Sequence, residues 1–194
     1  MDFLSVSPSI DIIIGPMFSG KTTELHRRLN ICADAEYVVL YINSIKDTRA
    51  ELISTHNSTL KNSELIQYVK TDNLLDIESN ICMSADVIGI DEAQFFPDLF
   101  AFAKEMCETF GKKVIVSGLN GDFNRRPFGQ VIDLITISDT ITKLNPFCMQ
   151  CRKTKNTMTP ALFSKRICTE TDILLIGGKT QYIPTCRACY NSSK

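Results

Sequence analysis

Charge of one sign is what this chain lacks most plainly. Its 21 Lys and Arg stand against 22 Asp and Glu, a formal net charge of −1 over 194 residues, with a sequence pI near 6.1. Proteins that grip a nucleic-acid backbone carry a cationic excess, so no nucleic-acid partner is expected. Long apolar runs are also missing: none approaches the ~18 residues of a membrane span. The opening "MDFLSVSPSI" places an acid at its second position and has no basic segment ahead of an apolar one. Neither membrane insertion nor export is expected. Internal repeats and low-complexity tracts are absent as well, which excludes a repeat array.

What is present reads as globular. Apolar residues make up 44% and charged residues 22%, close to the average of soluble domains. The length suits one sizeable core with a small appendage. Four stretches read as strands, at residues 10–14, 37–42 ("YVVLYI"), 87–90 ("VIGI") and 114–116 ("VIV"). Helical spacing appears at Leu25, Leu29 and Cys32. It recurs in "PDLFAFAKEMCETFG", where Leu99, Phe102, Ala103, Met106 and Phe110 repeat between Pro97 and Gly111, predicting a capped amphipathic helix. Strands alternating with helices imply an α/β fold, a parallel sheet with helices on both faces. Past residue 145 the chain turns polar, cysteine-bearing and broken by Pro160, Pro184 and Gly177-Gly178. We therefore divide it into residues 1–145, a nucleotide-binding α/β unit, and residues 146–194, a small zinc-binding unit.

The first unit is named for "IIIGPMFSGKTTEL". Gly15, Gly20, Lys21 and Thr22 satisfy GxxxxGK[ST], the phosphate-binding loop, between a strand and a helix as that loop requires. Glycines let backbone N–H groups turn inward, the helix N-terminus adds partial positive charge, and Lys21 reaches the β- and γ-phosphates. Thr22 would place its hydroxyl on Mg²⁺. "VIGIDEAQFF" supplies the second half. Asp91 ends an apolar strand and brings a carboxylate to the carboxyl edge of the sheet, where it can hold Mg²⁺. Glu92, one step on, can accept a proton from an attacking hydroxyl.

Eight cysteines are present, four of them in two pairs, Cys148-x-x-Cys151 and Cys186-x-x-Cys189. In a reducing compartment this pattern means metal, which places the chain in the cytoplasm. Four thiolates around one Zn²⁺ form a closed structural site with no position left for chemistry. Cys32, Cys82, Cys107 and Cys168 read as small buried hydrophobes. From "DEAQ" alone a nucleic-acid-stimulated ATPase of the DExx type with a zinc ribbon is a rival, but it asks for a second lobe and basic grooves. A zinc-ribbon module that binds ATP as a switch is the non-enzymatic alternative.

Taken together, "GPMFSGKT", "KDTR", "STH", "GIDEAQFF", "GLNGDFNRRPFG" and "CMQC…IGGKTQYIPTCRAC" resemble the cytosolic-type thymidine kinases across nearly the whole chain. The resemblance implies a P-loop NTPase-like fold and ATP-dependent phosphorylation of the 5′-hydroxyl of thymidine, and of deoxyuridine, in deoxynucleoside salvage. It implies catalytic roles for Glu92 as general base, for Arg49 near the 5′-oxygen and for Lys21. ATP would meet Gly15, Pro16, Met17, Phe18, Ser19, Gly20, Lys21, Thr22, Asp47, Arg49, Asp91 and Gln94. The deoxynucleoside would be enclosed by Met17, Phe95, Leu119, Phe123, Phe128, Ser164 and Tyr182, and by a lasso between the cysteine pairs. There the backbone of Ile173, Leu174, Leu175, Ile176 and Gly177 would bond the pyrimidine edge. A homotetramer and feedback inhibition by dTTP are implied too. Three departures from the pattern stand out: a longer 152–160 link, which must bulge; Asn120 where an aspartate is common; and no long tail after Cys189 to carry degradation or phosphorylation signals.

Overall fold

The computed structural model describes residues 7–47, 60–61, 63–170 and 180–192. In chain order, β1 (Ser9–Gly15), α1 (Lys21–Asp34), β2 (Val39–Ser44), β3 (Ile66–Thr71), α2 (Ser79–Ser84), β4 (Val87–Ile90), α3 (Leu99–Lys104), β5 (Lys113–Leu119) and β6 (Thr140–Lys143) build the larger part. A smaller part follows: α4 (Met149–Lys155), β7 (Phe163–Arg166), β8 (Tyr182–Thr185) and α5 (Arg187–Asn191). Six strands form one sheet in the order β3-β2-β4-β5-β1-β6, and every neighbouring pair is parallel. β7 and β8 pair antiparallel, apart from that sheet.

The chain is α/β, as its alternating pattern predicts. With all six strands running one way, the carboxyl ends of β1, β4 and β5 emerge on a single edge, where open α/β sheets bind ligands. Strand periodicity sorts the core into two layers. Ile10, Ile12 and Ile14 pack with Val114, Val116 and Phe102 on one face, while Ile13 and Ile115 meet Leu25 and Leu29 of α1 on the other. Gly89 lets α1 settle closely, since a Cβ there would lie 2.5 Å from Leu29 Cδ1.

Several elements depart from the reading by pattern. β2 begins at Val39, leaving Tyr37 exposed. The strands β3 ("IQYVKT") and β6 ("TITK") carry no apolar run because each lies at an edge, with one face toward water. β1 hides a charge: Asp11 is 1% exposed and pairs with Lys113 Nζ at 2.6 Å, while the Thr140 hydroxyl donates to its other oxygen. Such a pair is tolerated because each partner satisfies the other out of water.

The helix expected over residues 97–111 starts at Leu99 and widens into a π-helical turn over Glu105–Thr109. That turn rotates Phe110 out of the apolar stripe into solvent. Asp98 stands at the N-cap, but its side chain makes no cap hydrogen bond; its carboxylate accepts from Leu75 N at 2.8 Å instead. Cys32 and Cys82 are buried, whereas Cys107 and Cys168 are only half-buried, so the uniform assignment of those four thiols to the core is corrected.

Candidate active site

The phosphate loop leaves β1 at Gly15, where a Cβ would lie 2.3 Å from Leu144 O and 2.7 Å from Ser19 Oγ. No side chain fits there. Phe18 and Gly20 take left-handed backbone angles (φ 65° and 82°), which turns the chain tightly into α1. Lys21 is buried, and its Nζ donates back to Pro16 O at 3.0 Å, closing the loop. Ser19 Oγ is buried with no hydrogen-bond partner among the described residues. An unsatisfied hydroxyl is costly, and a phosphate oxygen would satisfy it. Thr22 lies half-buried in the first turn of α1.

Beside the loop, at the end of β4, Asp91 is 3% exposed. Its Oδ1 accepts from Ser117 Oγ at 2.7 Å and from Glu92 N at 3.0 Å; its Oδ2 accepts from Tyr41 OH at 3.2 Å. Burial, then the Asp91 carboxylate, push the Tyr41 phenol far above its ordinary value, so it remains a proton donor to Asp91. Glu92 adopts φ 48° and ψ 40°, a left-handed conformation that a non-glycine residue holds only when its surroundings impose it. Its Oε2 accepts from Gln94 Nε2 at 2.6 Å. Asp47, also buried, lies 3.4 Å from Asn43 Nδ2. Arg49, with the rest of "KDTR" past Asp47 and all of "STH", lies outside the described residues.

An aromatic wall borders the acidic edge. Phe95 and Phe128 meet edge to face at 5.9 Å between centroids, and the half-buried Leu119 at the end of β5 donates its N–H to Gln94, the residue before Phe95. The small unit supplies the rest. The Arg166 guanidinium stacks 3.8 Å from the centre of the Phe123 ring and donates to the hydroxyl of the buried Tyr182. Ser164 Oγ accepts from Met17 N at 2.9 Å, tying β7 to the phosphate loop itself. Between the loop that follows β5 and the start of β7 lies a cavity of about 90 Å³ lined by Asn120, Asp122, Arg125 and Ser164, among others. Ile173, Leu174, Leu175, Ile176 and Gly177 lie outside the described residues. Sequence reasoning missed Tyr41, Ser117 and Arg166. Tyr41 sits inside an apolar run, but Ser117, the polar residue following "VIV" near the end of a buried strand, was a usable signal.

The sulfurs of Cys148, Cys151, Cys186 and Cys189 all lie within 4.8 Å of one another. Cys151 Sγ is 3.7 Å from that of Cys186 and 3.5 Å from that of Cys189. A tetrahedral Zn²⁺ at about 2.3 Å from each sulfur sets edges of ~3.8 Å, so the four fit a zinc ion. Burial opposes ionisation of the Cys148 thiol, but N–H groups of Cys151, Cys186 and Gln150 point at its sulfur and lower it to about 7, whereas burial and the neighbouring thiols push Cys189 up to about 12. The case for a metal here is the geometry of the four sulfurs, since a bound metal would itself displace their protons. The 152–160 link does not simply bulge. α4 occupies its first half, and the chain then returns so that Cys148 N donates to Thr159 O at 2.7 Å and Phe147 bridges to Pro160.

Comparison with known proteins agrees across this whole region. A family profile described as thymidine kinase matches residues 8–190. Thymidine kinase 1 of Dictyostelium discoideum is 42% identical over 97% of this chain and 80% of its own length. The thymidine kinase of myxoma virus (strain Uriarra) is 43% identical over 93% and 95%, respectively. The cytosolic thymidine kinase of Gallus gallus is 40% identical over 93% and 76%. Among solved structures, the flagellar accessory protein FlaH from Methanocaldococcus jannaschii overlays with a TM-score of 0.54, at 19% identity and 71% coverage of each chain. That likeness is one of fold alone.

Proposed function

This chain belongs to the thymidine kinase family, and we propose that it transfers the terminal phosphoryl group of ATP to the 5′-hydroxyl of thymidine, and of deoxyuridine, giving dTMP and ADP. The carrying observation is that one sheet edge brings together three parts: a phosphate loop with an unsatisfied Ser19 hydroxyl, the fixed Asp91 carboxylate, and Glu92 one residue beyond it.

In this reading the triphosphate lies along residues 15–22, with Lys21 leaving Pro16 O for a phosphate oxygen. Thr22 and Asp91 would hold Mg²⁺, which when bound would supply neutralisation of the developing charge. Phosphoryl transfer depends on alignment and charge neutralisation more than on covalent help. Glu92 takes the proton of the incoming hydroxyl, and Arg49 supports the charge near the 5′-oxygen. Met17, Phe95, Leu119, Phe123, Phe128, Ser164 and Tyr182 enclose the deoxynucleoside. Asp47 belongs to the ATP side of the crevice, while Gln94 is buried, with its amide engaged by Glu92 and Leu119 rather than turned to ATP.

Residues 146–194 act as a unit in which structural Zn²⁺ ties both ends of a lasso. A loop anchored this way loses less entropy on ordering, and its closure over the base at Ile173, Leu174, Leu175, Ile176 and Gly177 excludes water. We extend the reading to a cytoplasmic homotetramer inhibited by dTTP. Incubation of the purified protein with Mg·ATP and each deoxynucleoside in turn tests the core of it. dTMP should form with thymidine; ADP release stimulated only by DNA or RNA would instead identify a helicase-like ATPase.

A further inference from the structure

We propose that Gln94 is a positioning residue that registers Glu92 against the end of β5, tying the proton-accepting side chain to the pyrimidine pocket. The inference rests on the phosphoryl-transfer reading above. Gln94 is 4% exposed, and both ends of its amide are engaged within the protein. Nε2 donates to Glu92 Oε2 at 2.6 Å, and Oε1 accepts from Leu119 N at 3.0 Å. The orientation of the amide is dictated chemically, because a carboxylate needs a donor and a backbone N–H needs an acceptor.

Surrounding backbone leaves Gln94 little freedom. A Cβ on Gly129 would lie 2.3 Å from Gln94 O, and one on Gly118 would lie 3.3 Å from Gln94 Oε1. Glycine at both positions lets two chain segments close on this one residue. Glu92 meanwhile holds a left-handed backbone, and the charge-assisted bond from Gln94 helps to fix the direction of its side chain. At its other end the same amide holds Leu119, a residue of the proposed base pocket, so displacement of either arm is felt by the other.

The two arms can be separated. Gln94→Glu keeps an acceptor for Leu119 N but sets a second carboxyl group against Glu92, where the two would share one proton and Glu92 would lose its free basic oxygen. Gln94→Met keeps the size and removes both bonds. Steady-state kinetics on the full chain should show kcat falling about 10- to 100-fold in both variants. KM for thymidine should rise about 3- to 10-fold only in Gln94→Met. Amide hydrogen exchange at Leu119 should speed up in Gln94→Met and stay slow in Gln94→Glu. The proposal is overturned if Gln94→Glu retains wild-type kcat, or if Leu119 exchange is the same in wild type and Gln94→Met. If Gln94→Met fails to fold, Gln94→Glu decides alone: lost kcat at unchanged KM supports the proposal and any other pattern overturns it. Wild-type protein without thymidine turnover would defeat the proposed function instead, while slow Leu119 exchange in wild type and Gln94→Glu, set against fast exchange in Gln94→Ala, still decides the Gln94 link.

Discussion

Replacing Ser117 by Ala probes the site where it is most tightly built. Asp91 is a buried carboxylate carried by three donors, and Ser117 Oγ, at 2.7 Å, is the nearest of them. The substitution removes one oxygen and leaves the shape of β5 unchanged. A hydrogen bond to a charged group is worth about 1.5–3 kcal/mol, and no water reaches the vacated side of a carboxylate that is 3% exposed. For a chain of 194 residues, each kcal/mol moves Tm by roughly 2–4 °C, so the ligand-free protein should melt roughly 3–12 °C lower. Tyr41→Phe should cost less, since its contact is longer at 3.2 Å and its ring keeps the edge contact with His26 at 5.1 Å. Thermal melts without nucleotide, paired with turnover titrated against Mg²⁺, read both consequences. Both variants should need more Mg²⁺ for half-maximal rate, Ser117→Ala more so. If Ser117→Ala matched wild type in melting and in Mg²⁺ dependence, the claim that this network holds Asp91 for the metal would be wrong.

Gly15→Ala forces a methyl group to 2.3 Å from Leu144 O, so the loop must shift; we expect a stability loss of about 1–3 kcal/mol and a clear rise in KM for Mg·ATP, measured by denaturant titration and kinetics. Native mass spectrometry should find one zinc per chain, lost in Cys151→Ser, with thymidine binding by calorimetry weakened more than ATP binding. Burial depresses His26 to about 4 from an ordinary 6.5. The unfolded chain therefore binds the proton first as pH falls, and His26 contributes full stability above pH 6.5 that is lost toward pH 4. Allowing for its partial exposure, the loss is about 1–2 kcal/mol, and His26→Gln should flatten urea-denaturation stability across that window.

Legibility in the sequence follows how local each signal is. The phosphate loop needs only consecutive residues, so its glycines and Lys21 stand out in the linear chain. The same holds for Asp91 and Glu92, which follow directly on a buried strand, and for the two cysteine pairs. Edge strands β3 and β6 escape notice because a strand wetted on one face carries no apolar run. The π-turn over Glu105–Thr109 also escapes, since an inserted residue changes the helical phase without changing composition.

Order along the chain by itself determined a nucleotide-binding α/β architecture and a cysteine cage, because both are written in short runs whose chemistry admits few alternatives. Only the tertiary structure decided who holds whom. Tyr41 and Ser117 reach Asp91 across distances of 50 and 26 residues, Ser164 reaches the phosphate loop across 147, and Gln94 spans from Glu92 to Leu119. These partners are chosen by strand order and register, which bring distant residues to the same sheet edge; a local pattern can mark a polar residue such as Ser117 in a buried strand but not the group it will meet.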